Sequence, residues 1–293
     1  MIRATEVRKS YGDQQVLGGV SLEVAAGEVF GFVGPNGAGK TTFLKCLLGI
    51  AAADAGSLEV DGLDARRRSL EVRRRCGYAP SETAMYDHLS VAAMLRFALA
   101  FHADADLERG HELIERFALP PRRRVRELSH GMKRKLLLAQ AIASAAPVLL
   151  LDEPMEGLDP EARRDLEGLL RAEADAGRTV FFSSHDLASV ERVCDRVAFL
   201  RGGRLLACDT VPAILDRMAH VLRLNLREAR TDAELPQHEG MHWSGEGRQW
   251  RLEFEGSLDE VLPHLVGLPL AGLRDGSGGL EEVFETLYGS EES

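Results

Sequence analysis

Apolar residues along the first 218 positions form short runs separated by polar or glycine-containing turns. Several of these runs are rich in β-branched and aromatic residues, which predicts strands at 2–9, 16–24, 28–33, 57–60 and 179–183. The run Val148-Leu149-Leu150-Leu151 has no polar residue. An uninterrupted apolar strand is typical of a parallel sheet that is covered on both faces.

Other segments repeat apolar residues every three or four positions, which is the period of a helix with one buried face. This spacing predicts helices at 90–102, 107–118 and 131–144. Asp159-Pro160 predicts a further helix start, with Asp159 as N-cap and proline at the first helical position. We also expect a helix at 186–194 and a hairpin that turns at Gly202-Gly203. Strands that alternate with helices predict an α/β domain of roughly 215 residues.

The pattern changes after about Met218. Residues 221–226 and 249–254 alternate between apolar and polar positions, as expected of half-buried strands. Gly245-Glu246-Gly247 predicts a turn between Trp243 and Trp250, and residues 280–288 predict an amphipathic helix. We therefore expect an α/β domain over 1–217 and a small α+β appendage over 219–293.

Composition limits the classes of function. The formal net charge of −10 argues against general nucleic-acid binding, so we expect no nucleic-acid partner. The four cysteines form no C-x-x-C pair or zinc pattern, which favours reduced thiols. No apolar run approaches the ~20 residues of a membrane span, and the N-terminal residues lack the apolar segment of a signal peptide.

One glycine-rich stretch lies between a predicted apolar strand and a predicted helix. Glycines let main-chain N–H groups turn towards phosphate oxygens, and the helix N-terminus adds its own unpaired N–H groups. The spacing G-x-x-x-x-G-K-T predicts a phosphate-binding loop, in which Lys40 reaches the β- and γ-phosphates and the Thr41 hydroxyl ligates Mg²⁺. The nucleotide-contacting residues of this stretch are Gly34, Pro35, Asn36, Gly37, Ala38, Gly39, Lys40, Thr41 and Thr42.

Further polar residues follow other predicted strands. Asp152 and Glu153 lie at the carboxyl end of 148–151, where parallel sheets bind ligands, so Asp152 is expected to hold Mg²⁺ and Glu153 to activate water. His185 follows the next strand and could contact the γ-phosphate. Ser129 and Gly131 open a predicted helix, which is a second potential anion site.

Together these motifs resemble the ATP-binding cassette (ABC) ATPases over residues 1 to about 217. The resemblance identifies residues 34–42 as Walker A, 128–132 as the signature, 148–153 as Walker B, 156–159 as the D-loop and His185 as the switch histidine. It implies a P-loop NTPase fold with a RecA-like parallel core, an antiparallel β subdomain and a helical subdomain at about 85–145. It also implies that Tyr11 stacks on adenine and that Asp159 contacts the nucleotide site.

The resemblance further implies how such a protein works. Two cassettes close head to tail over two ATP molecules, so Ser129 and Gly131 of one copy would complete the site of the other. We expect a homodimer that uses ATP and Mg²⁺, lies on the cytoplasmic face of the membrane and drives a separate permease. Residues 280–284 are similar to the closing helix of exporter ATPases, which favours export.

Two departures from the family pattern leave alternatives open. His130 and Met132 stand where the signature commonly has glycine and glutamine, and Ser81 replaces a glutamine that touches Mg²⁺ or water. Serine is shorter, so metal contact by Ser81 is in doubt. The alternatives to an exporter ATPase are a non-transport ABC protein of translation or DNA repair and a regulatory cassette with weak hydrolysis.

Overall fold

The structure is a computed structural model that describes residues 1–216, 220–254, 258–275 and 279–289. The chain divides into two compact units, Met1–Asp209 and Thr210–Ser293. The strands are β1 (Ile2–Tyr11), β2 (Gln14–Val24), β3 (Val29–Val33), β4 (Ala55–Val60), β5 (Leu63–Asp64), β6 (Cys76–Ala79), β7 (Val148–Asp152), β8 (Thr179–Ser184), β9 (Arg196–Arg201), β10 (Arg204–Thr210), β11 (His220–Arg230), β12 (Met241–Phe254) and β13 (Leu270–Asp275). The helices are α1 (Lys40–Leu47), α2 (Ser69–Arg74), α3 (Val91–Leu99), α4 (Leu107–Arg116), α5 (His130–Ala143), α6 (Pro160–Asp175), α7 (Leu187–Val193), α8 (Val211–Leu215), α9 (Leu258–Leu265) and α10 (Gly279–Gly289).

The core of the first unit is a six-stranded sheet in the order β10-β9-β3-β8-β7-β6. β3 pairs in parallel with β8 and β9, and β7 pairs in parallel with β6 and β8. Every residue of β3 and β7 is buried, as their continuous apolar sequences predict for central strands. Because β3, β8 and β7 are adjacent and parallel, the segments that follow them meet at one edge of the sheet.

A second, antiparallel sheet has the order β2-β1-β4-β5 and shares a hydrophobic core with the parallel sheet. The predicted hairpin at 202–203 is confirmed, since β9 and β10 are neighbours. Helices α3, α4 and α5 begin at side-chain N-caps Ser90, Asp106 and Ser129, each of which accepts a main-chain N–H from three residues ahead. The predicted α3 was too long, because the helix ends at Leu99 rather than at residue 102.

The second unit contains the antiparallel sheet β12-β11-β13. One face packs against α9, with Leu224, Leu252, Phe254, Val261 and Leu265 in the same core. The turn predicted at 245–247 lies within the bounds of β12. There the chain bends sharply, since Gly245 and Gly247 have φ of 135° and 61° and Trp243 contacts Trp250 edge to face. The predicted domain boundary at 217–219 lies outside the described residues.

The four cysteines are free thiols. Cys46, Cys76 and Cys194 are buried and Cys208 is half-buried. Burial raises the pKa of Cys46 to about 11 and that of Cys76 to about 12, and it also raises the pKa of Cys194. These thiols therefore behave as small core residues.

Candidate functional site

The glycine-rich loop joins β3 to α1 and lines a cavity of about 490 Å³. Gly37 and Gly39 have φ of 82° and 108°, a region that L side chains rarely adopt. A Cβ on Gly39 would also lie 2.8 Å from the carbonyl oxygen of Val16. The cavity is lined by Gln14, Val16, Pro35, Asn36, Gly37, Ala38, Gly39, Lys40, Thr41, Thr42, Ser81, Glu153 and Glu156. Gly34 lies behind the loop, packed against the Leu200 carbonyl.

Lys40 is the first residue of α1, and its side chain is only 6% exposed. Its ammonium donates to the carbonyl oxygen of Gly34 at 2.5 Å and to that of Pro35 at 3.3 Å. The same nitrogen lies 3.1 Å from Oε1 of Glu153. Lys40 is therefore fixed between the glycine loop and the carboxylate that follows β7.

Glu153 is held between two cationic or potentially cationic groups. Its Oε2 lies 2.8 Å from Nδ1 of His185, while its Oε1 faces Lys40. An ionised carboxylate can only accept hydrogen bonds, so Nδ1 of His185 is the donor. The main chain of Glu153 has a φ of 51°, which is unusual for a residue with a side chain. Strain of this kind, which costs about 1–3 kcal/mol, is concentrated at functional sites.

Asp152 is fully buried at the end of β7, and both of its carboxylate oxygens accept hydroxyl groups. Thr41 Oγ1 donates to Oδ2 at 2.8 Å, and Ser183 Oγ donates to Oδ1 at 2.6 Å. Ser183 also accepts the main-chain N–H of Glu153 at 2.9 Å. Hydroxyl and carboxylate oxygens are the hard donors that Mg²⁺ prefers, so Thr41 and Asp152 fit that ion.

The structure also shows a site residue that the sequence did not suggest. Arg134, in α5, is fully buried, and its guanidinium donates to the carbonyl oxygens of Asp152 at 2.9 Å and Glu153 at 2.6 Å. It also donates to the carbonyl oxygen of Pro80, next to Ser81. Burial lowers the pKa of Arg134, and the nearby carboxylates of Glu156, Asp152 and Glu153 oppose this shift.

The signature segment does not line the cavity around Lys40. Ser129 is exposed and accepts the Met132 N–H at 3.2 Å as the N-cap of α5. Gly131 lies against the D-loop, since a Cβ there would fall 2.7 Å from the Gly157 carbonyl oxygen. Asp159 caps α6 and pairs with Lys135 at 3.3 Å; its pKa is lowered mainly by the Ala162 N–H and also by Lys135.

Two further predicted residues differ in their position. Ser81 is half-buried and lines the cavity. Tyr11 is 52% exposed at the end of β1, where the Lys9 ammonium lies 5.2 Å from its ring centroid, and it does not line the cavity. Its exposed ring remains available for stacking on a flat ligand.

Comparison with known proteins gives these motifs a family. The model of the family described as ABC transporter matches residues 17–156. The chain is 41% identical over 211 residues to the Nod factor export ATP-binding protein I of Paraburkholderia xenovorans (strain LB400), an alignment that covers 70% of this chain and 69% of that protein. The chain belongs to the ATP-binding proteins of ABC transporters.

Two other likenesses extend this result. The chain is 37% identical to the daunorubicin resistance ATP-binding protein DrrA3 of Streptomyces coeruleorubidus over 73% of this chain and 71% of that protein. The solved dimer of the ATP-binding cassette MJ0796 with ADP and Pi superposes with a TM-score of 0.66 at 21% sequence identity. The superposition covers 72% of this chain and 98% of the MJ0796 chain. The predicted ABC fold, ATP hydrolysis and role as an exporter subunit are confirmed.

Sequence reasoning found this cavity because its loops carry local motifs, but it missed Arg134 and Ser183. Arg134 stands between Lys133 and Lys135, so the local run is typical of a solvated basic face; its one available signal was its position four residues before the apolar Leu138 on the same helix face. For Ser183 the signal was a hydroxyl at the carboxyl end of a strand next to β7.

Proposed function

We propose that this ABC ATPase powers a separate membrane permease by closing head to tail with a second copy of itself on two ATP molecules. In this arrangement Ser129 and Gly131 of one copy complete the cavity around Lys40 of the other. The observation that carries the proposal is that the signature segment lies outside the cavity of its own chain while Ser129 is exposed at the start of the 14-residue helix α5. The solved MJ0796 cassette is a dimer, which supports the same arrangement here.

ATP binding would rest on the glycine loop. Residues 35–42 line the cavity together with the N-terminus of α1, and the unpaired main-chain N–H groups of a helix start favour negatively charged phosphate oxygens. Lys40 supplies a fixed positive charge at the same place. Tyr11 would stack on the adenine ring. Its exposed side chain lies at the end of β1, and Tyr11 pairs with Gln14, which lines the cavity.

Mg²⁺ would be held by the Thr41 hydroxyl and the Asp152 carboxylate, with Ser183 keeping Asp152 in place. When bound, the ion would neutralise charge on the phosphates. Ser81 lines the same cavity, but its short side chain gives it at most a minor part.

Hydrolysis would use Glu153 as the general base. The carboxylate would take a proton from water while the water oxygen attacks the γ-phosphorus, and ADP would leave as phosphate forms. A positioned general base of this kind contributes about 10²–10⁴ in rate. His185 orients the carboxylate through Oε2, at 2.8 Å, and would reach the γ-phosphate as the transferred group moves.

The permease would be a different polypeptide. No helix within the described ranges is both long and apolar enough to cross a membrane. The named relatives are ATP-binding proteins of Nod factor export and of daunorubicin resistance, which supports an exporting permease here without fixing its cargo. The cassette would then sit at the cytoplasmic face of the membrane through that permease.

The test compares Glu153→Gln with Glu156→Gln, because both carboxylates line the cavity but only Glu153 contacts Lys40 and His185. We expect Glu153→Gln to lower kcat by at least about 10². We expect the kcat of Glu156→Gln to stay close to that of the wild type.

Dimer closure is tested separately. Light scattering of Glu153→Gln with saturating ATP should show a dimer that the further substitution Ser129→Arg abolishes. A monomer under those conditions, with and without the permease, would contradict the proposal.

A further inference from the structure

Three arginines lie side by side across the sheet of the second unit. Arg223, on the central strand β11, is directly opposite Arg251 of β12 and Arg274 of β13. Residues directly opposite in antiparallel strands share one face, with their Cβ atoms about 5 Å apart. Like charges in this position destabilise a sheet, so this row needs an anionic counterpart.

Acidic residues balance only one end of the row. Arg251 Nη2 lies 3.0 Å from Oε1 of Glu253 and 3.5 Å from Oε1 of Glu282. Arg223 and Arg274 are exposed and form no ion pair within the described part of the chain. Positive charge therefore remains uncompensated at the β11–β13 end.

The same face is concave and polar. Asn225 lies opposite Gln249 and Gly272, two residues along the strand from Arg223, so its amide projects from the arginine face. A cavity of about 610 Å³ is lined by these residues together with the three arginines and Ser244. This volume suits a small molecule, and its amide and hydroxyl groups suit oxygen-rich ligands.

We propose that this face of the second unit binds a small soluble phosphate-bearing anion, with Arg223, Arg251 and Arg274 as its main contacts. The planar guanidinium fork matches phosphate oxygens with two parallel hydrogen bonds, and three neighbouring forks suit a ligand with more than one phosphate group. Asn225 and Gln249 contact the uncharged part of the ligand.

The position of apolar residues favours a soluble ligand over a membrane surface. Helix α9 packs through Val261 and Leu265 into the core beneath the opposite face of the sheet. The exposed Leu258 and Leu262 of this helix, and Val266 directly after it, therefore lie on the side away from the arginines. A peripheral membrane site combines basic and apolar residues on one surface, which is not the case here.

The two tryptophans of the chain provide a local reporter. Both belong to the second unit, Trp250 lines the cavity, and its ring centroid lies 6.4 Å from that of Trp243. Pyrophosphate titrated into the full chain should give a saturable change in tryptophan fluorescence that weakens with salt. Sedimentation with vesicles of phosphatidylglycerol tests the lipid alternative, and binding there without a pyrophosphate response would overturn the proposal.

Single substitutions test whether the arginine face produces the fluorescence response to pyrophosphate. Arg223→Gln should raise the Kd for pyrophosphate at least tenfold, whereas Arg248→Gln, an exposed arginine of the same strand β12 outside the cavity lining, should change it less than twofold. Lys40→Ala, which removes the charge of the glycine loop, should keep the response. Loss of the response in Lys40→Ala, equal affinity in Arg223→Gln, or no saturable change in the wild type would each refute the site. An unchanged tryptophan emission spectrum of Arg223→Gln without pyrophosphate confirms that the second unit of this variant folds, because both tryptophans belong to that unit.

Discussion

Arg134 donates a hydrogen bond of 2.6 Å to the main-chain carbonyl of Glu153, the residue whose carboxylate we assign as the general base. The same guanidinium holds the carbonyl of Pro80, beside Ser81. One buried side chain of α5 thus ties the helix that begins at Ser129 to two segments of the cavity wall. The signature helix and the catalytic loop therefore move as one body unless these bonds break.

Arg134→Met tests this connection. The change leaves carbonyl acceptors without their buried donor, so the free energy of unfolding should fall by about 3 kcal/mol and kcat should fall with it. Arg134→Lys keeps the charge but not the planar fork of the guanidinium. Its free energy of unfolding and its kcat should therefore lie between those of the wild type and those of Arg134→Met. Urea unfolding and ATPase rates measure both effects, with the exposed Arg126→Met as the control. A stable but inactive Arg134→Lys would show that fork geometry, rather than burial, sets the rate.

His185→Ala should lower kcat by about tenfold to a hundredfold and leave the KM for ATP nearly unchanged. The histidine contacts Oε2 of Glu153 and does not line the cavity, so its loss misorients the base without removing a binding group. Steady-state ATPase kinetics give both parameters. His111→Ala, an exposed histidine of α4, serves as the matched control. An increase in KM with constant kcat would assign His185 to binding instead.

Gly131→Ala should weaken ATP-dependent dimerisation. Its Cβ would lie 2.7 Å from the Gly157 carbonyl oxygen, closer than real Cβ contacts, so the start of α5 must shift away from the D-loop. ATP affinity of the monomer should not change, because Gly131 is outside the cavity. Gly168→Ala in α6 is the control, since nothing lies within 4 Å of its Cβ and alanine favours helix. Normal dimerisation of Gly131→Ala would remove the signature segment from the interface.

Ser81→Ala should change kcat and KM less than threefold. Ser81 lines the cavity, but its hydroxyl forms no hydrogen bond with the residues that the structure describes. Thr41→Ala is the comparison, because it removes the hydroxyl that contacts Asp152 at 2.8 Å and should raise the Mg²⁺ concentration needed for activity. A Mg²⁺ requirement that shifts equally in both variants would establish Ser81 as a ligand.

His102 should make stability depend on pH in mildly acidic solution. Burial lowers its pKa, and the Arg178 charge adds to this, while a contact with the Arg74 carbonyl opposes it. The unfolded state therefore binds the proton more readily than the folded state does. The neutral His102 thus contributes fully to the free energy of unfolding above its ordinary pKa of about 6.5, and this contribution is lost as the pH falls through the lower pKa that His102 has in the folded protein. The measurement is the urea midpoint of the wild type minus that of His102→Gln, taken at several pH values between 8 and 5. This difference should decrease as the pH is lowered. A flat difference would contradict this sign.

The cavity was largely predictable from sequence because its parts are local motifs. The spacing of residues 34–42 fixes a strand, a turn and a helix together, and the carboxylates after 148–151 follow from strand direction alone. The contacts of Arg134 were not predictable in this way. Its partners are main-chain carbonyls at residues 80, 152 and 153, which carry no side-chain signature. Only the packing of α5 against β6 and β7 brings them together.

The second unit was predicted less completely for a related reason. Alternation at 221–226 and 249–254 indicates strands, but it does not give the register between them. The pairing of Arg223 with Arg251 and Arg274 depends on that register. A shift by two residues would keep every side chain on its own face of the sheet but would separate these arginines, and no local pattern excludes it.

The burial of Cys46, Cys76 and Cys194 has a practical consequence. Thiolates are the species that maleimides attack, and buried groups with a raised pKa supply almost none at neutral pH. Replacing Cys208 alone would therefore give a background in which a thiol introduced at the exposed position 126, three residues before Ser129, takes up a spin label selectively. Paired electron spins could then measure the separation of the two signature segments directly during turnover.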